Sequence, residues 1–285
     1  MFENILIPIS SEFYSKEVLK RSVFLAKNFK SKINLIYIIE EKTLNQTDKQ
    51  SDSYRTPYEI SETKNEIRQK QKQTADKIVF EDAKFYLQNN GIPFEEKIIE
   101  GEFSKIIKRE VELKDYDLIL MGYEKECALN YRLFDEVKIP LWVVNKNEGR
   151  SILAVCSNLA PNVMVPDVSQ QLAKKLNLDL NMIYVVDVND SVQVDEKAIR
   201  SGKKSEIDLM VSADHFIKQM EKKNINIKLL KGGFEKEVIR ATEIYDPKIV
   251  IIGREQKKKG ILGLPVKNLK RKMVDKCKYS ILFLN

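Results

Sequence analysis

Short apolar runs alternate with helical periodicity along the whole chain. In the first half Ile5–Ile9, Ile33–Ile39, Glu95–Ile99, Leu118–Met121 and Pro140–Val144 read as strands. Most of these runs are continuously apolar, the pattern of strands buried on both faces of a parallel sheet. Between them, Lys16–Phe29 sets Val18, Leu19, Val23 and Leu25 near one face of a helix. Glu62–Gln88 predicts a long charged helix stopped by Asn89-Asn90-Gly91, and Phe103–Leu113 a short one. Residues 41–60, rich in Gln, Ser, Thr and Asp, read as a flexible loop. The order then recurs, with strands near 151–156, 180–186, 226–230, 248–252 and 280–284 and helices near 164–176, 193–223, 234–244 and 265–276. This alternation predicts α/β architecture: five-stranded, mainly parallel, doubly wound sheets flanked by helices, with right-handed crossovers.

The recurrence extends to residue identity. Asn4-Ile5-Leu6-Ile7 lies against Ser151-Ile152-Leu153-Ala154, Ser10 against Ser157, and Asn34-Leu35-Ile36-Tyr37 against Asn181-Met182-Ile183-Tyr184, all at an offset of 147 (157 minus 10). A second block pairs Ile98–Gly122 with Leu229–Gly253 at an offset of 131 (253 minus 122). It sets Gly101 on Gly232, Phe103 on Phe234, Asp115 on Asp246 and Gly122 on Gly253. Each copy is about 140 residues, the size of a whole domain rather than of a solenoid repeat. The chain therefore divides into residues 1–146 and 150–285, joined by the polar run Asn145-Lys146-Asn147-Glu148-Gly149-Arg150.

Composition narrows the class. The chain is 43% hydrophobic and 32% charged, and no run of 18 apolar residues suggests a membrane span. Met1-Phe2-Glu3-Asn4 enters a strand directly, without a signal-peptide pattern, so a cytoplasmic protein with no membrane association is expected. Cys127, Cys156 and Cys277 lack metal-ligand spacing and read as reduced, packed thiols. The net charge of +7 gathers in Lys257-Lys258-Lys259 and in the helix from Lys267 to Lys278. Without interleaved aromatic residues or a recognised motif, this reads first as a solvated face; nucleic acid is disfavoured. His215, the only histidine, cannot form a multi-histidine metal site. No P-loop, nucleophile elbow or dinucleotide-binding turn occurs.

In both copies the order strand, glycine, short amphipathic helix, apolar strand, glycine is kept. It runs from Ile98-Ile99-Glu100-Gly101-Glu102-Phe103 to Leu118-Ile119-Leu120-Met121-Gly122, and from Leu229-Leu230-Lys231-Gly232-Gly233-Phe234 to Ile249-Val250-Ile251-Ile252-Gly253. With the opening strand and the closing Ile139-Pro140-Leu141-Trp142-Val143-Val144, this resembles the universal stress protein family in its tandem form. The resemblance implies a Rossmann-like, adenine-nucleotide-binding type of domain, present twice. Its ligand would sit outside the carboxyl ends of the strands where their order reverses. It also implies an Asp after the first strand and a glycine-rich phosphate loop after the fourth.

Both copies depart from that pattern. Ser10 and Ser157 stand at the Asp position and cannot supply a carboxylate. No glycine follows Gly122 before the closing strand of copy one, and Glu124, Glu126 and Asp135 would repel phosphate. Copy two keeps Gly253 but spaces Gly260 and Gly263 wrongly. If a nucleotide binds, the resemblance implies Ser157, Val185, Gly232 and Gly253, with Lys257 and Lys267 near the phosphates. The expected function is that of a stress-response or regulatory protein with degenerate nucleotide sites, non-catalytic and needing no cofactor. The alternatives are an ATP- or AMP-binding protein, or slow ATPase, using copy two, and a scaffold whose basic face docks an acidic protein partner. The resemblance also implies an intrachain pseudo-dimer, with a homodimer as a further option, in which Leu141–Val144 runs antiparallel to Ile281–Leu284.

Overall fold

A computed structural model describes residues 1–10, 13–39, 77–122, 133, 137–196, 199–254 and 269–284. The chain forms two compact units, Met1–Leu133 and Phe134–Asn285. The first runs β1 (Asn4–Ile9), α1 (Lys16–Phe29), β2 (Lys32–Ile39), α2 (Lys77–Asn89), β3 (Phe94–Glu100), α3 (Phe103–Leu113) and β4 (Leu118–Gly122). Its strands lie in the order β3-β2-β1-β4, all parallel. The second unit runs β5 (Leu141–Val144), β6 (Ser151–Ser157), α4 (Met164–Leu176), β7 (Asp179–Asp187), α5 (Glu206–Glu221), β8 (Lys228–Gly232), α6 (Phe234–Tyr245), β9 (Pro247–Gly253), α7 (Leu269–Lys276) and β10 (Ser280–Leu284). Its order is β5-β10-β9-β6-β7-β8, parallel except at β5.

Burial accounts for the continuous apolar runs. Every residue of β4, β6 and β10 is buried, as is β1 from Ile5 onward. The outermost strands β3 and β8 are largely exposed and carry Glu95, Glu96, Lys97, Lys228 and Lys231. Charge along an edge strand discourages pairing with another chain. The strand order reverses between β1 and β4 in the first unit and between β6 and β9 in the second, the position at whose carboxyl edge ligands of such sheets sit.

The antiparallel pairing expected of Leu141–Val144 is present: Ile281 faces Val143, Leu282 faces Trp142 and Phe283 faces Leu141. Both strands belong to the second unit. The polar run after β5 is tied to that unit as well. Asn145 donates its amide N–H to Ser280 Oγ at 3.0 Å and its Nδ2 to the Cys277 carbonyl at 3.1 Å, and Arg150 N–H reaches the Asp246 carbonyl at 2.8 Å.

One helix boundary differs from expectation. The helix predicted over 193–223 begins only at Glu206. There Ser205 Oγ accepts the Asp208 N–H at 3.1 Å while the Asp208 carboxylate reaches back to Ser205 N–H at 3.3 Å, a reciprocal cap. Residues ahead of it are held out of the helix because Val192 and Val194 are buried and the backbone is tied elsewhere, with Lys204 N–H to the Ser191 carbonyl at 2.7 Å. α2 is described from Lys77, and the earlier part of the helix predicted from Glu62 lies outside the described residues, as does the loop over 41–60. The turn after β3 needs Gly101, whose φ of 144° is closed to residues with a Cβ.

The repeat also shows in the helix ends. α1 stops at Lys30 with φ 58°, and α4 stops 147 residues later (177 minus 30) at Asn177 with φ 50°. Asn tolerates this left-handed conformation better than Lys. The exposed Lys30 is therefore strained by its backbone alone. Lys30→Gly should raise stability by about 0.5–1 kcal/mol, read as a higher melting temperature or denaturant midpoint; an unchanged or lower midpoint would contradict this reading.

Candidate functional site

The carboxyl edge of the second unit brings the predicted residues onto neighbouring strands. Ser157 ends β6 and is the register partner of Val185 on β7; Gly232 ends β8 opposite Asp187; Gly253 ends β9, next to Ile252, the partner of Val155. Lys257 and Lys267 lie outside the described residues. Ser157, Val185 and Gly253 are buried and Gly232 is half-buried.

What covers them is the chain itself. Ser157 Oγ accepts the Leu159 N–H at 3.1 Å, and the Asn162 carboxamide clasps Ser157 from both sides, accepting its N–H and donating to its carbonyl, each at 2.9 Å. The Pro161 carbonyl comes over Gly253 so closely that a Cβ there would lie 1.9 Å from its oxygen. Gly253 is thus a close-approach glycine, and the group approaching it is protein backbone.

Two buried polar residues not singled out by the sequence organise this closure. Asn158 donates Nδ2 to the Val192 carbonyl at 2.7 Å, accepts the Asp187 N–H on Oδ1 at 2.7 Å, and takes the Val194 N–H on its own carbonyl at 2.8 Å. Asp187 accepts three backbone N–H groups, from Asn189 and Asp190 on Oδ1 (2.7 and 2.9 Å) and from Phe234 on Oδ2 (2.7 Å). Phe234 opens α6, so the carboxylate sits at the positive end of that helix. The described residues 188–196 and 199–204 form a strap after β7, closed by the bridge between Val194 and Arg200 and by Arg200 Nη1 to Asp190 Oδ2 at 3.2 Å. The sequence signal was faint: one Asn after a strand and one Asp ending an apolar run.

A third missed residue is Arg254, directly after Gly253. Its guanidinium is buried and donates from Nη2 to the Val137 and Ile139 carbonyls at 2.6 and 2.8 Å. The cation at the start of the predicted phosphate loop is therefore spent on the segment leading into β5.

In the first unit Ser10 is buried, and its Oγ accepts the Phe13 N–H at 3.2 Å. The Phe13 ring stacks on Phe103 with centroids 4.3 Å apart. A Cβ on Gly122 would lie 3.0 Å from Ser15 Cβ. Tyr14 reaches across to hydrogen-bond Asp82 on α2. Glu124, Glu126 and Asp135 lie outside the described residues.

Among the described residues no group of three His, Cys, Asp or Glu side chains could hold a metal ion, and no helix is long and apolar enough to cross a membrane. His215 is exposed and bonded to Gln219. Burial raises the Cys156 thiol far above its ordinary range and pushes Cys277 up to about 11. Both should resist iodoacetamide at pH 7 in the native protein and alkylate fully in denaturant, as read by peptide mass spectrometry; native labelling of either would refute their burial.

Arg254→Ala should cost about 2–4 kcal/mol, because it takes the guanidinium from the buried Val137 carbonyl and the half-buried Ile139 carbonyl and leaves a cavity. Urea denaturation measures this, and a loss under about 0.5 kcal/mol would show that water replaces the guanidinium.

Residues 1–138 match the family model described as the universal stress protein family, so this part of the chain is a domain of that family. Among solved structures, a universal stress protein from Archaeoglobus fulgidus is 14% identical with a TM-score of 0.59 over 99% of this chain and 96% of its own. A putative universal stress protein from Pseudomonas aeruginosa is 13% identical with a TM-score of 0.65, over 99% and 93%. A third, solved in complex with cAMP, is 10% identical with a TM-score of 0.31, over 50% and 96%. No curated protein matches the chain significantly.

Proposed function

From this domain match, we propose that the chain is a non-catalytic regulatory protein of the stress response, cytoplasmic, whose nucleotide-type positions are filled by its own loops. The observation that carries the reading is Asp187. A carboxylate at the carboxyl edge of an α/β sheet could receive ribose hydroxyls, yet this one accepts three backbone N–H groups of its own chain. The Pro161 carbonyl over Gly253 supports it, since a phosphate drawn to free amides would meet an acceptor oxygen there. In the first unit the Phe13–Phe103 stack takes the space beside Ser10. The second reading, an adenine nucleotide held by Ser157, Val185, Gly232 and Gly253, requires the 158–161 loop and the strap to move. The proposal needs no cofactor; its output is an interaction with a regulatory protein partner.

Thermal-shift measurements with ATP, AMP and cAMP decide between them. A ligand at 100 times its dissociation constant would stabilise the native state by about 2.7 kcal/mol. We expect no shift from any of the three. A saturable shift with ATP, together with amide NMR perturbations at Ser157, Val185 and Gly232 in the wild-type protein, would establish the second reading.

Asn158→Ala should cost about 2 kcal/mol by orphaning the Val192 carbonyl and Asp187 N–H. Hydrogen exchange should accelerate selectively over 188–204; protection unchanged from wild type would show that Asn158 does not hold the strap.

A further inference from the structure

The first unit contains a polar cavity at the opposite end of its strands. It has a volume of about 80 Å³ and is lined by Asn34, Glu95, Lys97, Glu110, Lys114 and Tyr116, among others. Asn34 and Ile36 pair in register with Glu95 and Lys97, and side-chain alternation puts all four on one face of the sheet. That face is the one α3 covers, because Lys97 Nζ reaches Glu110 Oε1 at 2.6 Å and Lys114, just after α3, reaches Glu95 at 3.2 Å. Tyr116 lies two residues before β4 begins, so the cavity sits toward the amino ends of the strands.

Its walls differ with depth. Glu110, Asn34 and Tyr116 form the interior, with 1%, 8% and 6% exposure. The side chains of Lys97, Lys114 and Glu95 stand at the rim, 49%, 50% and 74% exposed. Neither the Asn34 carboxamide nor the Tyr116 hydroxyl has a hydrogen-bond partner among the described residues, and neither polar group is sealed from solvent, so both are left to water or to a guest. One water needs only about 10–15 Å³, so the space exceeds a single solvent site.

The fold does not require these residues. At the repeat offset of 131 (247 minus 116), Ala241 stands where copy one has Glu110, and Pro247 where it has Tyr116. Copy two keeps the carboxamide as Asn181 but replaces the carboxylate and the phenol with apolar groups, and Ala241 is buried. A buried carboxylate and a phenol found beside that carboxamide in copy one alone point to a ligand rather than to folding.

We propose that this cavity binds a small zwitterion of amino-acid or betaine size, its cationic end inward on Glu110, Asn34 and Tyr116 and its carboxylate outward on Lys97 and Lys114. The interior offers acceptors and one negative charge; the rim offers two ammonium groups. A guest with both charges can replace the Lys97–Glu110 pairing end for end, whereas a simple anion or cation leaves one side of a paired wall unmatched. This site is separate from the carboxyl-edge positions and does not rest on how those are read.

The test titrates the full-length protein with glycine and glycine betaine, and with sodium acetate and ammonium chloride as single-charge controls, by amide NMR. At least one zwitterion should give saturable shifts at Asn34, Lys97, Glu110 and Tyr116, with each control about tenfold weaker. Tyr116→Phe should weaken binding roughly tenfold without lowering the melting temperature. Glu110→Gln should weaken it more for betaine, which cannot donate a hydrogen bond, than for glycine. A water-filled cavity, shown by no saturable response to either zwitterion, would overturn the proposal. So would equal responses to acetate or ammonium, or wild-type affinity in both variants.

Discussion

A carboxylate buried at the end of a strand must find donors, and Asp187 finds three on its own backbone. Much of the second unit's carboxyl edge follows from that. Two of the bonds turn the chain sharply after β7, and the third fixes the start of α6 against the end of the same strand. Asn158 reads the other side of the turn, taking the Asp187 N–H and holding Val192 and Val194 down. Because Val192, Val194 and Phe234 are buried, removing Asp187 or Asn158 leaves their backbone groups unsatisfied, and this part of the network holds or fails together. Its donors are peptide groups, so the closure does not depend on ionic strength as a surface ion pair would.

The two copies reach a closed edge by different chemistry. In the first, an aromatic pair fills the space: Phe13 folds back over Phe103, the residue that opens α3. In the second, the equivalent Phe234 keeps its buried ring but gives its N–H to Asp187. Dispersion and area burial do in one copy what hydrogen bonding does in the other. That divergence extends to the far end of the strands, where Glu110 and Tyr116 of copy one face Ala241 and Pro247 at the matching positions. Duplication preserved the sheet and left its two rims free to change separately.

The strands were legible because double-sided burial imposes continuous apolar runs, and β1, β2, β4, β6, β7, β9 and β10 fall close to where those runs lie. The site at the reversal points, and with it Ser10, Gly122, Ser157 and Gly253, was implied by the family resemblance, and the repeat carried it from one copy to the other. What local pattern could not give was the path of backbone between elements. The run from Gln193 to Ser205 has an acceptable helical composition, but tertiary bonds to Asn158 and burial of Val194 outweigh propensity. The loop 158–161 carried no sign that its carbonyl would rest on Gly253, since close approach is a fact of three dimensions. Arg254 carried no signal of its burial, because its neighbours in space, Val137 and Ile139, lie more than a hundred residues away in sequence.

β5 is written in sequence as the last strand of the first repeat but is seated beside β10 in the second unit. The unit of descent and the unit of folding therefore have different borders. Severing the chain at the polar run after Val144 would divide the repeats cleanly and still strip β10 of its antiparallel neighbour, baring the backbone of an apolar strand whose every residue is buried. A division that respects the physics falls earlier, ahead of Phe134. A gene cut between the copies would thus give one fragment with a strand too many and another with an adhesive edge, a reason for the tandem to persist as a single polypeptide.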